Sequence, residues 1–427
     1  MSSSNSSAAE LTEADRAASG DCAALARSLR KKSVSSDSEP IPVSELGIDA
    51  YKLLFQSNHS QYLVGAARYS CPEHQVTFPS EAGAEFDDTA IEQNNRFRYP
   101  LIREAGSGGV LHRHRRATIL LHGLNEGAFS KYVPWAYRLW AATRTPILMF
   151  PMTFHINRVS PGWASLQQGT AQKRSQLSGN DCSHRFNAVM SERLNNHPER
   201  FFWGAVQTYL DLIDLVRQIR SGRHPHFAEG ARVDVIGYSA GGYLTLLLLM
   251  DNRGELFADS RGVVFASGVP LRDLDLASPL ILDLTAEVSL MKLFVKNFDP
   301  PASARMRHWV EAHGEGQWMR AFCGQRPQRS ILEKRFRELA PRLLGIANSN
   351  DEVVPVGAML NTFQGVKRDT GVPVHEIDLG VHENPFSISS YDKERPSRKL
   401  ITEFLNVETY GEAFDRFIAT IVAHLCP

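Results

Sequence analysis

The pentapeptide Gly-Tyr-Ser-Ala-Gly at residues 237–241 constrains the fold of this chain more than any other feature. A mostly apolar run at residues 233–236 precedes it, and residues 243–250 follow with the composition of a buried helix. A strand, a sharp turn and a helix in this order leave no room for side chains at the two flanking glycines. The pattern therefore predicts that Ser239 projects its hydroxyl from a tight turn at the top of a sheet.

Strands and helices alternate along most of the remaining sequence. Apolar runs at residues 117–121 and 146–150 predict two buried strands, and residues 132–143 predict a helix between them. A strand, helix, strand unit of this kind pairs its strands in parallel. Further strands are predicted at 263–266, 343–347 and 374–379, and further helices at 201–219, 280–297, 304–323 and 412–425. The expected fold class is α/β, with a doubly wound, mainly parallel sheet.

Three regions of the chain differ in composition. Residues 1–40 are rich in Ser and poor in large apolar side chains, which predicts a disordered tail, the alternative being a loose helix. Residues 41–100 show no clear period and are interpreted as an N-terminal extension without assigned structure. Residues 101–427 are expected to form the α/β domain, with a polar, irregular insertion at 152–200. A second insertion at 270–341 is expected to form a helical cap, because compact α/β units use much shorter connections.

The charge balance argues against partners that depend on a global electrostatic field. The 427 residues carry 47 Lys and Arg against 47 Asp and Glu, so we expect no binding to nucleic acid or to anionic membranes. The most apolar run, at residues 244–250, is far shorter than the roughly 20 residues that span a bilayer. We therefore expect a soluble protein that acts on a small molecule, with no prediction of its oligomeric state.

The cysteines indicate a reducing compartment. They are odd in number, widely scattered, and have no Cys-x-x-Cys spacing, so we expect neither disulfides nor a zinc or redox site. Acidic residues near the N-terminus occupy the positions where an export signal would place an apolar core. A cytoplasmic location is expected. The five cysteines are Cys22, Cys71, Cys182, Cys323 and Cys426.

A serine hydroxyl is a poor nucleophile at neutral pH unless a base accepts its proton. Loops that follow parallel strands converge at one end of a sheet, so the base should follow a strand. His382 follows the strand at 374–379, and Asp351 follows the strand at 343–347. We expect Asp351 to hold His382 in the tautomer that can accept the proton of Ser239.

Other residues are alternatives for these two roles. A histidine within a strand or within the cap is less well sited than one on a loop after a strand. An acid after the preceding strand, or the carboxylate next to Asp351, could also orient the base. The alternatives to His382 are His375 and His313, and the alternatives to Asp351 are Asp275, Asp283 and Glu352.

Attack on a carbonyl places negative charge on its oxygen, and two backbone N–H groups usually bind that oxyanion. Ala240 directly follows the serine and is expected to provide one of them. Leu124 follows His122 and Gly123 after the strand at 117–121, and is expected to provide the other. The side chain of His122 is interpreted as a structural hydrogen-bonding group beneath this loop.

Together these motifs resemble the α/β-hydrolase superfamily over about residues 100–427. The order Ser239, Asp351, His382 along the chain is the order of that superfamily. The resemblance implies a serine hydrolase, by default an esterase, that cleaves an ester, thioester or amide through an acyl-enzyme on Ser239, without a metal or organic cofactor. A single glycine before Leu124 departs from the His-Gly-Gly-Gly form of some esterases, so their substrate preferences do not transfer.

Two alternatives of function stay open from the sequence. One is a catalytically silent protein of this fold that binds a ligand or partner, and the other is a lyase or peptidase with the same three residues.

The insertion at 152–200 carries six Lys or Arg against three acids. His155 and Arg158 in it are possible binding residues for an anionic substrate group, the alternative being a solvated basic loop.

Overall fold

The computed structural model describes residues 40–65, 68–79, 87–106, 113–298, 301, 303–383, 385, 388–389, 402–403 and 407–427. All but the last residue of the tail expected at 1–40 lies outside these ranges. The described chain forms a large sheet with helices on both faces and two small two-stranded sheets, β3-β4 and β12-β13, whose bounds follow. The strands are β1 Ile41–Val43, β2 Ile48–Gln56, β3 Arg68–Cys71, β4 Val76–Pro79, β5 Arg96–Glu104, β6 His114–Leu121, β7 Ile147–Phe150, β8 Phe227–Tyr238, β9 Gly262–Phe265, β10 Leu343–Asn348, β11 Val374–Ile377, β12 Ile388–Ser389 and β13 Thr402–Glu403.

The main sheet has nine strands in the order β1-β2-β5-β7-β6-β8-β9-β10-β11. The strands from β7 to β11 run parallel to one another, whereas β1, β2 and β5 pair antiparallel. Parallel strands joined by helices on both faces are a doubly wound α/β sheet, so the expected fold class is confirmed. The central strands place the carboxyl ends of β6, β8, β10 and β11 along one edge, where loops meet.

Residues 41–100 contribute three strands to this sheet. β2 and β5 pair over nine residues, from Ile48 opposite Glu104 to Gln56 opposite Arg96. Polar residues such as Asp49 and Lys52 occupy buried positions of β2. The sequence of this strand therefore lacks the alternation of apolar and polar residues from which a strand is predicted.

The helices are α1 Glu92–Asn95, α2 Val133–Thr143, α3 Trp163–Arg174, α4 Ala188–Asn196, α5 Glu199–Arg220, α6 Ala240–Asp251, α7 Leu284–Met291, α8 Ala304–Ala312, α9 Gly314–Phe322, α10 Arg329–Leu339, α11 Val356–Phe363 and α12 Val407–Leu425. A π-helical turn at Lys292–Lys296 continues α7. The helical insertion between β9 and β10 comprises α7 to α10. None of the helices in the described ranges is both long and apolar enough to cross a membrane.

The description of residues 152–200 as irregular is wrong, because α3 and α4 lie there. α3 is mostly polar and buries only Ala171 and Arg174. A helix with so few buried positions has no apolar stripe, which is the signal that a sequence pattern detects.

Two hydrophobic clusters pack against opposite faces of the sheet. Side chains of β8 alternate between them: Val233 and Val235 join the cluster formed with α5 and α6, while Ile236 and Tyr238 join the other. The second cluster includes Trp135 of α2 and residues of α12. Successive residues of a strand point to opposite faces, so β8 is buried on both sides and is held rigidly below the turn that follows it.

Candidate active site

Ser239 lies in a strained turn between β8 and α6. Its backbone has φ 51° and ψ −119°, an uncommon conformation for a residue other than glycine. A Cβ atom at Gly237 would lie 2.1 Å from the carbonyl oxygen of Gly241, and one at Gly241 would lie 2.6 Å from that of Leu121. Both glycines are therefore required by the close approach of the backbone.

Ser239, His382 and Asp351 form one hydrogen-bonded chain. His382 Nε2 is 3.1 Å from Ser239 Oγ, and His382 Nδ1 is 2.7 Å from Asp351 Oδ2. The side chains of His382 and Asp351 are almost completely buried. The Asp351 carboxylate accepts the Nδ1 proton, so Nε2 is left with a lone pair toward the serine hydroxyl.

Backbone hydrogen bonds hold the two loops that carry the acid and the base. Asp351 Oδ1 accepts the N–H groups of Val353 and Val354 at 2.9 and 2.7 Å. Asn348, the last residue of β10, accepts the N–H of Leu379 at 2.9 Å and donates to the carbonyl of Gly380 at 2.6 Å. Asn348 thus ties the loop after β10 to the loop after β11, a role that the sequence analysis missed.

The alternatives for base and acid lie elsewhere. His375 is exposed on β11, and His313 contacts Cys71 through its ring nitrogen at 3.3 Å. Asp283 forms a buried ion pair with Arg174. Asp275 and Glu352 are exposed. Of the candidates, only Asp351 and His382 join a hydrogen-bonded chain with Ser239 among the described residues.

The loop after β6 packs directly against the serine turn. The N–H of Gly241 donates to the carbonyl of His122 at 3.0 Å. His122 Nδ1 lies 2.8 Å from the carbonyl of Gly123, and His122 Nε2 accepts the N–H of Met152 at 2.9 Å. Burial holds the pKa of His122 well below its usual value, so the ring is neutral and its hydrogen bonds fix the loop that carries Leu124. Ala240 is the first residue of α6, where no carbonyl of the same helix can accept its N–H.

His155 and Arg158 do not offer positive charge to a substrate. Arg158 is fully buried, ion-paired with Asp211 at 2.8 Å, and bonded to backbone carbonyls of Pro151 and Asn94. Burial lowers the pKa of His155 from 6.5 to about 4, so its ring is neutral near pH 7. The interpretation of these residues as a site for an anionic group is therefore corrected. Desolvation made an unpaired cation unfavourable at both positions.

Two adjoining cavities lie beside the turn that carries Ser239. One has a volume of about 460 Å³ and is lined by Ser239, His382 and residues of the loop after β6. The other runs between α5, α6 and the helices of the insertion, and Ala240 forms part of its wall. Four residues line both cavities, namely Leu124, Phe154, His155 and Met190. The two spaces therefore adjoin one another next to the serine turn, and together they are called the cleft below.

The second cavity follows one apolar face of α6. Ala240, Tyr243, Leu244 and Leu247 line it at positions i, i+3, i+4 and i+7. At 1.5 Å per residue these positions extend about 10 Å from the serine turn into the protein. Phe294, in the π-helical turn that continues α7, also lines this cavity. The helical spacing was readable in the sequence, but the side of α6 that faces a cavity was not.

The Lys and Arg residues that line the cleft are paired with carboxylates, and the carboxylate of Glu383 accepts the hydroxyl of Ser278. Arg193 and Arg200 both bind the carboxylate of Asp88, at 2.9 and 2.8 Å. Lys131 forms an ion pair with Glu126. The cleft therefore combines a polar end at Ser239 with a long apolar arm, and its lining cations are all neutralised by ion pairs.

The family model described as a family of unknown function, DUF6051, matches residues 26–407. The chain belongs to this family. A search of the curated proteins finds no match. Solved structures with a similar fold include an esterase from Pseudomonas putida ECU1011, which is 13% identical to this chain with a TM-score of 0.45. The alignment covers 99% of this chain and 93% of that esterase. An esterase from Pyrobaculum calidifontis is 9% identical with a TM-score of 0.44, covering 97% and 92% respectively. An esterase from Pyrococcus furiosus is 11% identical with a TM-score of 0.42, covering 90% and 94%.

Proposed function

We propose that this protein is a serine hydrolase that cleaves esters with an uncharged, apolar acyl group. The observation that carries the proposal is the hydrogen-bonded chain from Ser239 through His382 to Asp351 at 3.1 and 2.7 Å. Nucleophile, base and orienting acid are the three parts that activate a serine hydroxyl. The strained backbone at Ser239 supports the same function, since strain of this kind is concentrated at functional sites.

The mechanism follows from the atoms in this chain of hydrogen bonds. His382 Nε2 takes the proton of Ser239 as Oγ forms a bond to the substrate carbonyl carbon. The N–H groups of Leu124 and Ala240 bind the carbonyl oxygen while it carries negative charge. His382 then passes the proton to the leaving alcohol as the ester bond breaks, and Asp351 stabilises the imidazolium between these steps.

Water completes the cycle by attacking the acyl group on Ser239. His382 accepts a proton from this water and returns it to Ser239 Oγ as the carboxylic acid leaves. Loss of one oxyanion donor in such a site typically costs about 2.7 to 4 kcal/mol of transition-state stabilisation. The reaction consumes one water and one ester and needs no cofactor.

The substrate class is inferred from the shape and charge of the cleft. The apolar arm along α6 suits an extended acyl chain, because burial of each methylene contributes about 0.8 kcal/mol. The paired cations beside it, Arg193 and Arg200, give no free charge to a carboxylate or phosphate. Thioesters and amides have the same reacting carbonyl and are secondary candidates.

We also propose that the protein works in a reducing compartment such as the cytoplasm. Cys71, Cys182, Cys323 and Cys426 are free thiols among the described residues. A secreted protein of this size would be expected to use at least some of its cysteines in disulfides.

A fluorophosphonate probe tests the proposal directly, because it reacts with an activated serine and not with ordinary serines. We expect wild-type protein to be labelled and Ser239→Ala to be unlabelled. Ser165→Ala is the matched control, since this exposed serine in α3 only bonds a nearby backbone carbonyl. Absence of labelling in the wild type would favour a catalytically silent binding protein.

A panel of 4-nitrophenyl esters, with matched thioesters and anilides, identifies the bond that is cleaved. We expect the highest kcat/KM for esters with medium or long acyl chains. Product analysis by mass spectrometry separates hydrolysis from lyase or peptidase chemistry. Release of products without incorporation of oxygen from water would contradict a hydrolase.

A further inference from the structure

Four potential metal ligands meet outside the cleft, at the junction of the β3–β4 hairpin with α8 and α9. Cys71 is the last residue of β3, and His74 lies in the turn that follows. His308 belongs to α8, and His313 lies between α8 and α9. One donor atom from each residue lies within 4.8 Å of the other three. Two segments separated by more than 230 residues thus converge on one point.

The distances within this Cys-His cluster suit a tetrahedral ion. Cys71 Sγ is 3.3 Å from His74 Nδ1 and 3.3 Å from His313 Nε2. Zinc binds thiolate at about 2.3 Å and imidazole at about 2.0 to 2.1 Å, so tetrahedral ligand atoms are separated by roughly 3.3 to 3.6 Å. Other donor atoms of the cluster lie up to 4.8 Å apart, which is wider than a tetrahedral ion requires. His74 is exposed and His308 is half-buried, so both rings can rotate to shorten these distances.

The surroundings prepare these side chains to bind a cation. His313 is buried, and its Nε2 faces the sulfur of Cys71. The ring of His313 is stacked on Trp309 at 3.9 Å, and its Nδ1 lies 3.5 Å from a Glu73 carboxylate oxygen. A carboxylate behind a ligating histidine orients it and strengthens its donor atom. His308 Nε2 is buried without a hydrogen-bond partner.

We propose that Cys71, His74, His308 and His313 bind one Zn²⁺ ion. Thiolate and imidazole ligands at tetrahedral separations favour zinc over the oxygen-preferring divalent cations. As the sulfur–zinc bond forms, the thiol of Cys71 releases its proton to solvent. The proposal replaces the expectation of no metal. The relevant signals were Cys71-x-x-His74 and His308-x-x-x-x-His313, neither of which contains the Cys-x-x-Cys spacing that was sought.

The zinc ion has a structural role in this site. Four protein ligands leave no position for a substrate or a water, and none of the four residues lines the cavity that contains Ser239. The β3–β4 hairpin has two strands of four residues each, which is marginally stable by itself. The ion joins this hairpin to α8 and α9, and α9 contributes Met319 and Phe322 to the apolar arm of the cleft.

Metal analysis of the full-length protein tests this inference independently of any ester hydrolysis. We expect about one zinc per chain after purification from zinc-supplemented medium. Replacement by Co²⁺ should give the intense visible bands of a tetrahedral site and a near-ultraviolet thiolate-to-cobalt charge-transfer band. Chelation of the metal should lower the melting temperature, because a closed zinc site contributes directly to folding.

Variants assign the ligands. Cys71→Ser should lose the charge-transfer band and most of the zinc, and His74→Gln should weaken zinc binding while the fold persists, because His74 is exposed. Cys182→Ser and His375→Gln are matched controls outside the cluster and should retain zinc fully. Wild-type protein that contains no zinc and gives no thiolate band with Co²⁺ would overturn the proposal. So would equal zinc loss in the controls.

Discussion

Asp351→Asn should reverse the hydrogen bond to His382 and leave the surrounding loop intact. The carboxylate uses Oδ1 for the N–H groups of Val353 and Val354, and Oδ2 for His382. An asparagine can keep the first two bonds with its carbonyl oxygen, which turns its NH₂ group toward His382 Nδ1. An NH₂ group only donates, so Nδ1 must accept and the ring proton moves to Nε2.

Protonated Nε2 cannot take the proton of Ser239, so the chemical step is lost while the fold is kept. The corresponding substitution in a serine protease lowers kcat by about 10⁴, which equals about 5 kcal/mol of activation free energy. We expect a similar loss here, measured by steady-state hydrolysis of the best ester from the panel. The melting temperature should stay near that of the wild type because both backbone hydrogen bonds remain.

Glu352→Gln is the matched control for this experiment. Glu352 is the neighbouring carboxylate and is exposed, so its neutralisation should change kcat by no more than about twofold. If Asp351→Asn retained more than about a tenth of wild-type kcat, Asp351 would not orient the base. A large loss of kcat in Glu352→Gln instead would assign the role of orienting His382 to Glu352.

Three buried or cavity-lining residues give further predictions. Asp211→Asn should lower the free energy of unfolding, measured by urea titration, by about 3 to 5 kcal/mol, because it leaves the buried Arg158 charge unpaired. Asp259→Asn, at an exposed ion pair, is the control and should lower it by about 0 to 1 kcal/mol. Equal losses in the two variants would contradict the argument. Because burial lowers the pKa of His155 from 6.5 to about 4, the unfolded chain takes up this proton first, so the stabilisation is complete above pH 6.5 and is lost as the pH falls toward 4. Between about pH 7 and about pH 4.5, the free energy of unfolding of His155→Gln should therefore fall by about 2 kcal/mol less than that of the wild type. An identical fall in both proteins would refute the lowered pKa of His155. Leu247→Phe should fill the apolar arm and lower kcat/KM for an octanoate ester roughly tenfold relative to kcat/KM for an acetate ester. An equal decrease of kcat/KM for both esters would show that the arm does not hold the acyl group.

Local features of the proposed site were readable from the sequence because they depend on residues close together in the chain. The steric demand for glycine at 237 and 241 arises within a single turn, and the apolar strand before it is a continuous run. The loops with Asp351 and His382 follow the strands β10 and β11, which placed them at one end of a parallel sheet. Fold class and the three residues of the proposed triad follow from such short-range patterns.

Pairing between distant segments was decided only by the tertiary structure. β2 and β5 contain charged residues at buried positions, and their nine-residue pairing cannot be read from either strand alone. Arg158 was predicted as a possible anion-binding residue, but in the fold it is buried and forms a direct ion pair with Asp211.

The cleft and the Cys-His cluster have the same dependence on long-range packing. The apolar face of α6 was visible as helical spacing, but only the positions of α5 and the insertion leave a cavity beside it. Cys71 and His313 become neighbours because a peripheral hairpin packs against helices of that insertion. Short-range sterics and hydrophobic periodicity determine elements and turns, whereas burial and charge pairing depend on which elements finally come together.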